Sequence, residues 1–530
     1  MRNQKPVTLT GGMNIGATAY SSQNAPERQA PYSWTFSASP TLNVYGIQFP
    51  FTLIYADNNR NLSSPFQRFG VSPYYKWAKL HLGHRNLNFH PFVLAGQPIL
   101  GTGVELNPKG IRFGAVYGRL AKAEFIDSTR SNFRGQPSVF ERKGYCVKLG
   151  FGSERNHLDF VWLKAKDDAN SLPVIPTDTR TFPAENSVLG VSSKLSFSKW
   201  AVWNLDLAGS AYTRDTRSNE VAIPDSFSLV KKISALFQPH LSSQAFSAGE
   251  TSLRFLFGSS WLQVALRRVH PDYKSMGTFY FQTDIEQLTF SPNLVFLKNK
   301  FLLAGSFGWQ RDNLLGKKLF TSQRVIGSAN LAWRPSNVFS ANLQFSNFGL
   351  TQTRFTDLVE DSLQLRLVNQ NAGVNLSWNI QGNGRLHNIS VSGNYQRTND
   401  TSPATGGTGD LTSQFGSAMY TLVLPQQQFN IFGGLSGSRN QFGEGGATTF
   451  YGLTVGSSKG FFKNKFNLRA SGSFFKQQNE MAGKGSTITA RMGAGWRVSK
   501  RQSIQLNSNL VRSPGGRREW FGSVNYGVGF

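Results

Sequence analysis

Three of the chain's seven histidines, His81, His84 and His90, fall within ten positions, and Glu105 follows. Imidazoles and carboxylates at such spacing are the ligand types of zinc or copper. On an extended chain, however, His81 and His84 point to opposite faces, so a chelate requires the segment to leave regular structure. The expected role is structural, with packing and hydrogen bonds to Arg85 or Asn86, and no metal. The single cysteine, Cys146, rules out an intrachain disulfide and leaves too few thiols for a zinc or iron-sulfur site. In Tyr145-Cys146-Val147-Lys148-Leu149 it shares a face with Lys148 and reads as a small filler residue. Gly456-Ser457-Ser458-Lys459-Gly460 matches the string of esterase nucleophile elbows, but that chemistry needs a strand-to-helix turn beside a positioned His and acid. Here the string closes a strand just before a turn at Lys463. His157, His240, His270 and His387 have polar neighbours, yet nothing links them to a nucleophile, and Walker, dinucleotide and His-Glu-x-x-His strings are missing. The chain is expected to be no enzyme and to take no cofactor.

The elements that carry these residues follow from patterning. No stretch of about 18 apolar residues exists, so a helical membrane span is excluded. A closed barrel is the other fold that satisfies its backbone within lipid. Alternation is strong in the second half. Ile488, Ala490, Met492, Ala494, Trp496 and Val498 share one parity, against Thr, Arg and Gly on the other. Ala372, Val374, Leu376, Trp378 and Ile380 face Asn371, Asn375, Ser377 and Asn379 in the same way, as do Phe339, Ala341, Leu343 and Phe345 against Ser340, Asn342, Gln344 and Ser346. Such alternation puts one set on lipid and the other in a polar lumen.

Short turns are expected at 298–300, 334–337, 381–384, 425–427, 463–465 and 499–501, alternating with looser segments near 357–361, 401–409, 443–446, 481–485 and 514–517. The first set should face the periplasm. About a dozen strands follow Lys300, eight precede Ser226, and about six more are expected between Ser226 and Leu297. The fold class expected is therefore all-β, a single antiparallel transmembrane barrel over residues 1–530 with about 24–26 strands. Trp200, Trp333, Trp496 and Trp520 lie beside turns, as interfacial aromatic girdles require.

The last strand alternates Trp520, Val524, Tyr526, Val528 and Phe530 against Ser523, Asn525, Gly527 and Gly529. It resembles the terminal signal of bacterial outer-membrane proteins, which implies reading of Val524, Tyr526, Val528 and Phe530 by the barrel assembly machinery. It should close the wall by pairing with the first strand near Thr8. A second resemblance, over roughly Phe69 to Leu120, is carried by Phe69-Gly70-Val71-Ser72-Pro73-Tyr74-Tyr75-Lys76-Trp77, Leu80-His81-Leu82-Gly83-His84-Arg85, Leu94-Ala95-Gly96, Gly101-Thr102-Gly103-Val104-Glu105-Leu106-Asn107-Pro108 and Arg112-Phe113-Gly114-Ala115-Val116-Tyr117-Gly118-Arg119. These are similar to a group of large, porin-like outer-membrane barrels of Bacteroidota-type bacteria, which implies a compartment and a fold but no activity. The N-terminus, Met1-Arg2-Asn3-Gln4-Lys5-Pro6, lacks the apolar core of an export signal, so the signal is expected to be removed or to lie outside this sequence.

The net charge of +27 comes from 56 Lys and Arg against 29 Asp and Glu. The basic residues are scattered along strands and turns, so nucleic acid is not the expected partner. Lipid and lipopolysaccharide headgroups, an anion-favouring lumen, or an envelope protein partner are the expected uses. Arg469, Arg491 and Arg497 share the polar parity of adjacent strands and form a candidate lumen strip. Residues 58–98 break strand regularity and form a candidate inward plug or constriction holding His81, His84, Arg85 and His90, because a lumen of more than about 20 strands leaks unless filled. The expected function is a porin-like pore, with a non-conducting scaffold for secretion, surface display or envelope assembly as the alternative.

Overall fold

The computed structural model describes residues 6–57, 68–126, 137–173, 181–221, 237–279, 281–354, 364–403, 405, 408–443, 445–480 and 483–530. Its 29 hydrogen-bonded strand segments belong to one sheet. Three pairs of segments continue as single wall strands: Val7–Thr10 with Gly12–Gln23, Tyr32–Ala38 with Thr41–Val44, and Arg68–Val71 with Tyr74–Tyr75. The result is a closed antiparallel barrel of 26 strands. Each wall strand pairs with its neighbours in sequence, and the first and last close the ring from Gly12↔Gly529 to Gln23↔Arg518. The seam starts at Gly11, whose N–H donates to the Phe530 carbonyl at 3.0 Å while the Phe530 N–H returns a bond at 2.9 Å. The closing partner is the first wall strand, as expected, with the ladder beginning at Gly11 and Gly12 while Thr8 pairs with Asn43 on the strand's other side.

An even strand number leaves both ends of the ring on one rim. The six short turns expected on one side all lie there, and several use left-handed residues, among them Lys298, Asn299, Asn383, Gln428, Lys463 and Asn464. The segments at 401–409, 443–446 and 514–517 lie on the opposite rim. Residues 357–361 and 481–482 lie outside the described residues.

The strand total falls in the expected range by a different route. Between Ser226 and Leu297 there are three described strands, Ser243–Phe257, Ser260–Val269 and Ile285–Phe296, in place of six, with 226–236 outside the described residues. Conversely, much of the stretch expected to fold inward is wall. Arg68–Val71, Tyr74–Tyr75 and Ala78–Asn86 pair with their neighbours, followed by Pro98–Leu106. Pro73 misled the reading because a proline without an N–H usually ends a strand. Here it falls at a break in the ladder, where Ser72 donates its N–H to the Pro50 carbonyl at 3.1 Å.

The barrel has an apolar outside, with Leu343, Phe345, Leu453, Ile488, Met492, Leu506 and Val524 exposed on its outer face. Its buried hydrophobic cluster is on the inside, against one arc of the wall. Leu87–Gln97 folds off the strand Ala78–Asn86 into the barrel and meets a second inward segment, the residues from Pro271 to Phe279 with Phe281, which leaves Ser260–Val269. Phe92, Val93 and Leu94 are at most 1% exposed, packed with inward Val116, Leu120, Cys146, Val161, Leu163, Ala208 and Phe246. Ala95 donates its N–H to the Gly277 carbonyl at 3.0 Å, and Phe279 donates to Ala95 at 3.2 Å. The Tyr273 hydroxyl caps the Phe92 carbonyl at 2.9 Å, and the Ser275 hydroxyl caps that of Val93 at 2.7 Å. Buried irregular backbone inside a barrel must find such partners.

Candidate functional site

The lumen has two unlike arcs. Along the strands from Phe339 to Phe530 and on into the first two wall strands, inward positions are mostly Asn, Ser, Thr, Gln and Gly. Many form cross-strand bonds: Asn371 with Asn394 at 3.3 and 3.2 Å, Asn388 to Asn379 at 2.6 Å, Ser392 with Ser417 at 2.6 Å, and Ser458 to Asn430 at 2.6 Å. Each amide or hydroxyl keeps further donors or lone pairs free for water. The contiguous buried apolar cluster does not extend onto this arc.

The other arc, from Pro98 to Ile285, is covered by the two inward segments. Wall glycines make their seats. A Cβ on Gly114 would lie 2.8 Å from the Phe89 ring, and one on Gly190 would lie 2.5 Å from a Val93 methyl and 3.2 Å from the His90 ring. Inward charges on this arc are paired in two-pronged bridges, Arg112 with Asp159 at 2.8 and 3.0 Å and Arg142 with Asp167 at 2.7 and 3.1 Å. Lys148 lies 4.9 Å over the Phe89 ring and Arg267 5.4 Å over Phe92. These cations hold the inward segments by cation-π contact.

Arg469, Arg491 and Arg497 all face inward from the polar arc and have no acidic partner among the described residues. Arg469 and Arg491 share a groove of about 720 Å³ with Phe432, Phe521, Asn507 and Asn509. Arg497 is apart from them, in a hollow of about 870 Å³ at the short-turn rim with Lys500, Arg501 and Phe530. Val524, Tyr526 and Val528 lie on the closing strand, in register with Ala17, Ile15 and Met13.

The three clustered histidines occupy three different surroundings. His81 faces inward and is buried, with Nδ1 3.0 Å from the Ser72 hydroxyl and Nε2 2.8 Å from Glu105. His84 packs edge-on against Phe69, whose ring is exposed on the outer face. His90 is in the inward segment, where Nδ1 accepts the Phe92 N–H at 3.1 Å and Nε2 lies 3.3 Å from the Val191 carbonyl. The Arg85 guanidinium lies against Gly70. Thus His81, His84 and Arg85, expected inside a plug, sit on the wall strand Ala78–Asn86, while His90 is inside; residues 58–67 lie outside the described residues. No group of three metal-ligand side chains occurs among the described residues.

Sequence reasoning missed the Ser72, His81, Glu105 network, having looked for partners in Arg85 and Asn86. Its members come from three neighbouring wall strands, so only strand register could reveal it. Its connectivity resembles a serine, imidazole, carboxylate relay. With Ser72 7% and His81 3% exposed, the hydroxyl is not presented to solvent. The network satisfies a buried imidazole at the break before Pro73.

No protein-family model matches the chain, and no curated protein matches it, so the likeness of residues 69–120 to Bacteroidota-type barrels rests on those residues alone. Among solved structures, the P pilus usher PapC translocation pore is 12% identical, covers 98% of this chain and 99% of its own, and has a TM-score of 0.45. OccAB2 of Acinetobacter baumannii is 9% identical over 73% of this chain and 98% of its own, with a TM-score of 0.31. OpdK of Pseudomonas aeruginosa, solved with vanillate, is 11% identical over 66% of this chain and 93% of its own, at 0.29. At such scores the architecture rests on the closed strand register described above.

Proposed function

We propose that the protein is an outer-membrane channel of porin type, whose conduit runs along the polar arc while the two inward segments narrow the lumen from the opposite arc. The observation that carries this reading is the division of the interior. One arc is sealed by a packed apolar cluster, and the other presents mostly amides and hydroxyls, interrupted by a few rings such as Phe432 and Phe521. A barrel serving only as a filled scaffold would bury both arcs; a wall that keeps hydrogen-bonding capacity toward the interior suits water and small polar solutes. The lipid-facing belt of apolar side chains supports placement in a bilayer, and the short-turn rim is then the periplasmic one. The terminal strand through Phe530 is read by the barrel assembly machinery in this account.

Arg469, Arg491 and Arg497, which have no acidic partner among the described residues, give the conduit a preference for anions. Planar-bilayer recording tests both statements. Discrete open channels are expected, with a reversal potential in a salt gradient that indicates anion preference. In Arg469→Gln/Arg491→Gln that preference falls while conductance persists. Electrically silent protein that inserts and co-purifies with an envelope partner would replace the channel by the scaffold reading.

A further inference from the structure

We infer that the outer face of the barrel carries a binding belt for phosphorylated lipid headgroups, centred on the arc formed by the last eight strands. Arg397, Arg439, Lys476, Lys484, Arg512 and Arg518 all stand at outward positions near the long-loop rim, and all are exposed. Each lies two or four residues beyond an outward apolar or aromatic side chain: Tyr395, Leu435, Phe474, Ile488, Leu510 and Trp520 respectively. Two residues along a tilted strand rise about 5 Å, which is the step from acyl chains to headgroups. The six cations therefore stand one or two such steps beyond the apolar belt, toward the long-loop rim.

The opposite arc provides the comparison. Its outward cations at the same rim are neutralised within the protein: Lys143 by Glu141 at 2.6 Å, Lys164 and Lys166 by Glu185 at 3.4 Å each, and Arg268 and Arg311 by Glu286 at 3.8 and 2.6 Å. On the last eight strands no outward strand position is acidic, and none of the six cations has an ion pair among the described residues. The nearby Glu480 instead accepts the Ala447 N–H at 2.8 Å. Arg512 and Arg518 are direct cross-strand partners, and Lys476 is diagonal to Lys484, which pairs with Gln478. Like charges set opposite each other on a sheet repel unless an anion lies between them. A planar guanidinium takes phosphate oxygens two at a time, so an adjacent arginine pair suits that group. Because the cations border the lipid-facing apolar belt, the occupant is a lipid headgroup, the phosphorylated glycolipid of the outer leaflet, rather than a soluble phosphate.

The inference rests on the outer-membrane placement above but not on conduction. The full chain is reconstituted into zwitterionic phospholipid nanodiscs and offered synthetic bisphosphorylated lipid A or its dephosphorylated analogue, with retention read by native mass spectrometry. Wild type should retain the phosphorylated form at least tenfold better. That preference should fall as salt is raised and should withstand inorganic phosphate. Arg439→Gln/Lys476→Gln/Arg512→Gln/Arg518→Gln should lose it, whereas Lys166→Gln/Arg311→Gln on the paired arc should keep it within about twofold. Should the fourfold variant not assemble, the salt dependence and lipid pair measured on wild type decide the matter alone. Equal retention of both lipids, or displacement by inorganic phosphate, overturns the inference while insertion and conductance stand. Failure to enter the disc overturns the membrane placement itself.

Discussion

Replacing Phe92 with alanine should release the inward segments from the wall without opening the wall. The Phe92 ring is 1% exposed, lies 6.0 Å from the Phe281 ring and 6.4 Å from that of Tyr273, and carries the Arg267 guanidinium at 5.4 Å. A Phe→Ala change at a packed site costs about 3–5 kcal/mol, through lost transfer energy and the cavity left behind. Since about 1.4 kcal/mol corresponds to a factor of ten, local detachment of these segments becomes roughly a hundred to several thousand times more frequent. The wall keeps its ladders, including the seam from Gly12 to Gln23. Cys146 reports the event, because it is 0% exposed within the same cluster and is the chain's sole thiol. Wild type should resist a maleimide until denatured, while Phe92→Ala should label in the folded barrel and show larger or additional conductance levels. A folded Phe92→Ala barrel with wild-type labelling rate and conductance would refute the idea that this cluster holds the constriction.

Three other outcomes follow from the same structure. Gly190→Ala places a Cβ 2.5 Å from a Val93 methyl, so Cys146 should become reactive although nothing was removed from the core; a thiol as protected as in wild type would count against the seat. Deleting Phe530 removes the two main-chain bonds to Gly11 and the terminal aromatic, so heat-modifiable folded barrel on gels should drop while total expression holds; normal insertion would sink the signal role. At the loop rim, burial works against ionising Asp284, but Lys318 and the Leu314 and Asn313 N–H groups outweigh it and hold the carboxyl below its ordinary value. A depressed folded value contributes stability above the unfolded aspartate range that is lost as pH falls through the folded value. Wild type should therefore melt higher than Asp284→Asn at neutral pH, with the gap closing on acidification; a gap independent of pH would disprove the carboxylate's role.

Much of the barrel was legible because its code is local. A strand with lipid on one side and a polar interior on the other must alternate residue by residue, as Ile488 to Val498 and Trp520 to Phe530 do. The short turns were readable for the same reason, since residues such as Lys298-Asn299 and Asn383-Gly384 take left-handed conformations within a few positions. The reading failed in two stretches. Within the expected inward segment 58–98, residues 68–86 looked unlike wall because Pro73 breaks the ladder, although Leu80 and Leu82 alternate there with Lys79 and His81. The surplus of strands expected between Ser226 and Leu297 arose in a stretch that contains the inward residues from Pro271 to Phe279.

Sequence by itself determined the strand class, the approximate strand number, the gathering of the short turns on one rim and the inward parity of Arg469, Arg491 and Arg497. Each depends on residues close together in the chain. Only the tertiary structure decided which segments leave the wall, that Ser72, His81 and Glu105 meet, that Arg497 is apart from the other two arginines, and that outward cations have acidic partners on one arc and none among the described residues on the other. Those facts depend on register between strands that are distant in sequence, where a shift of one residue would exchange inside for outside.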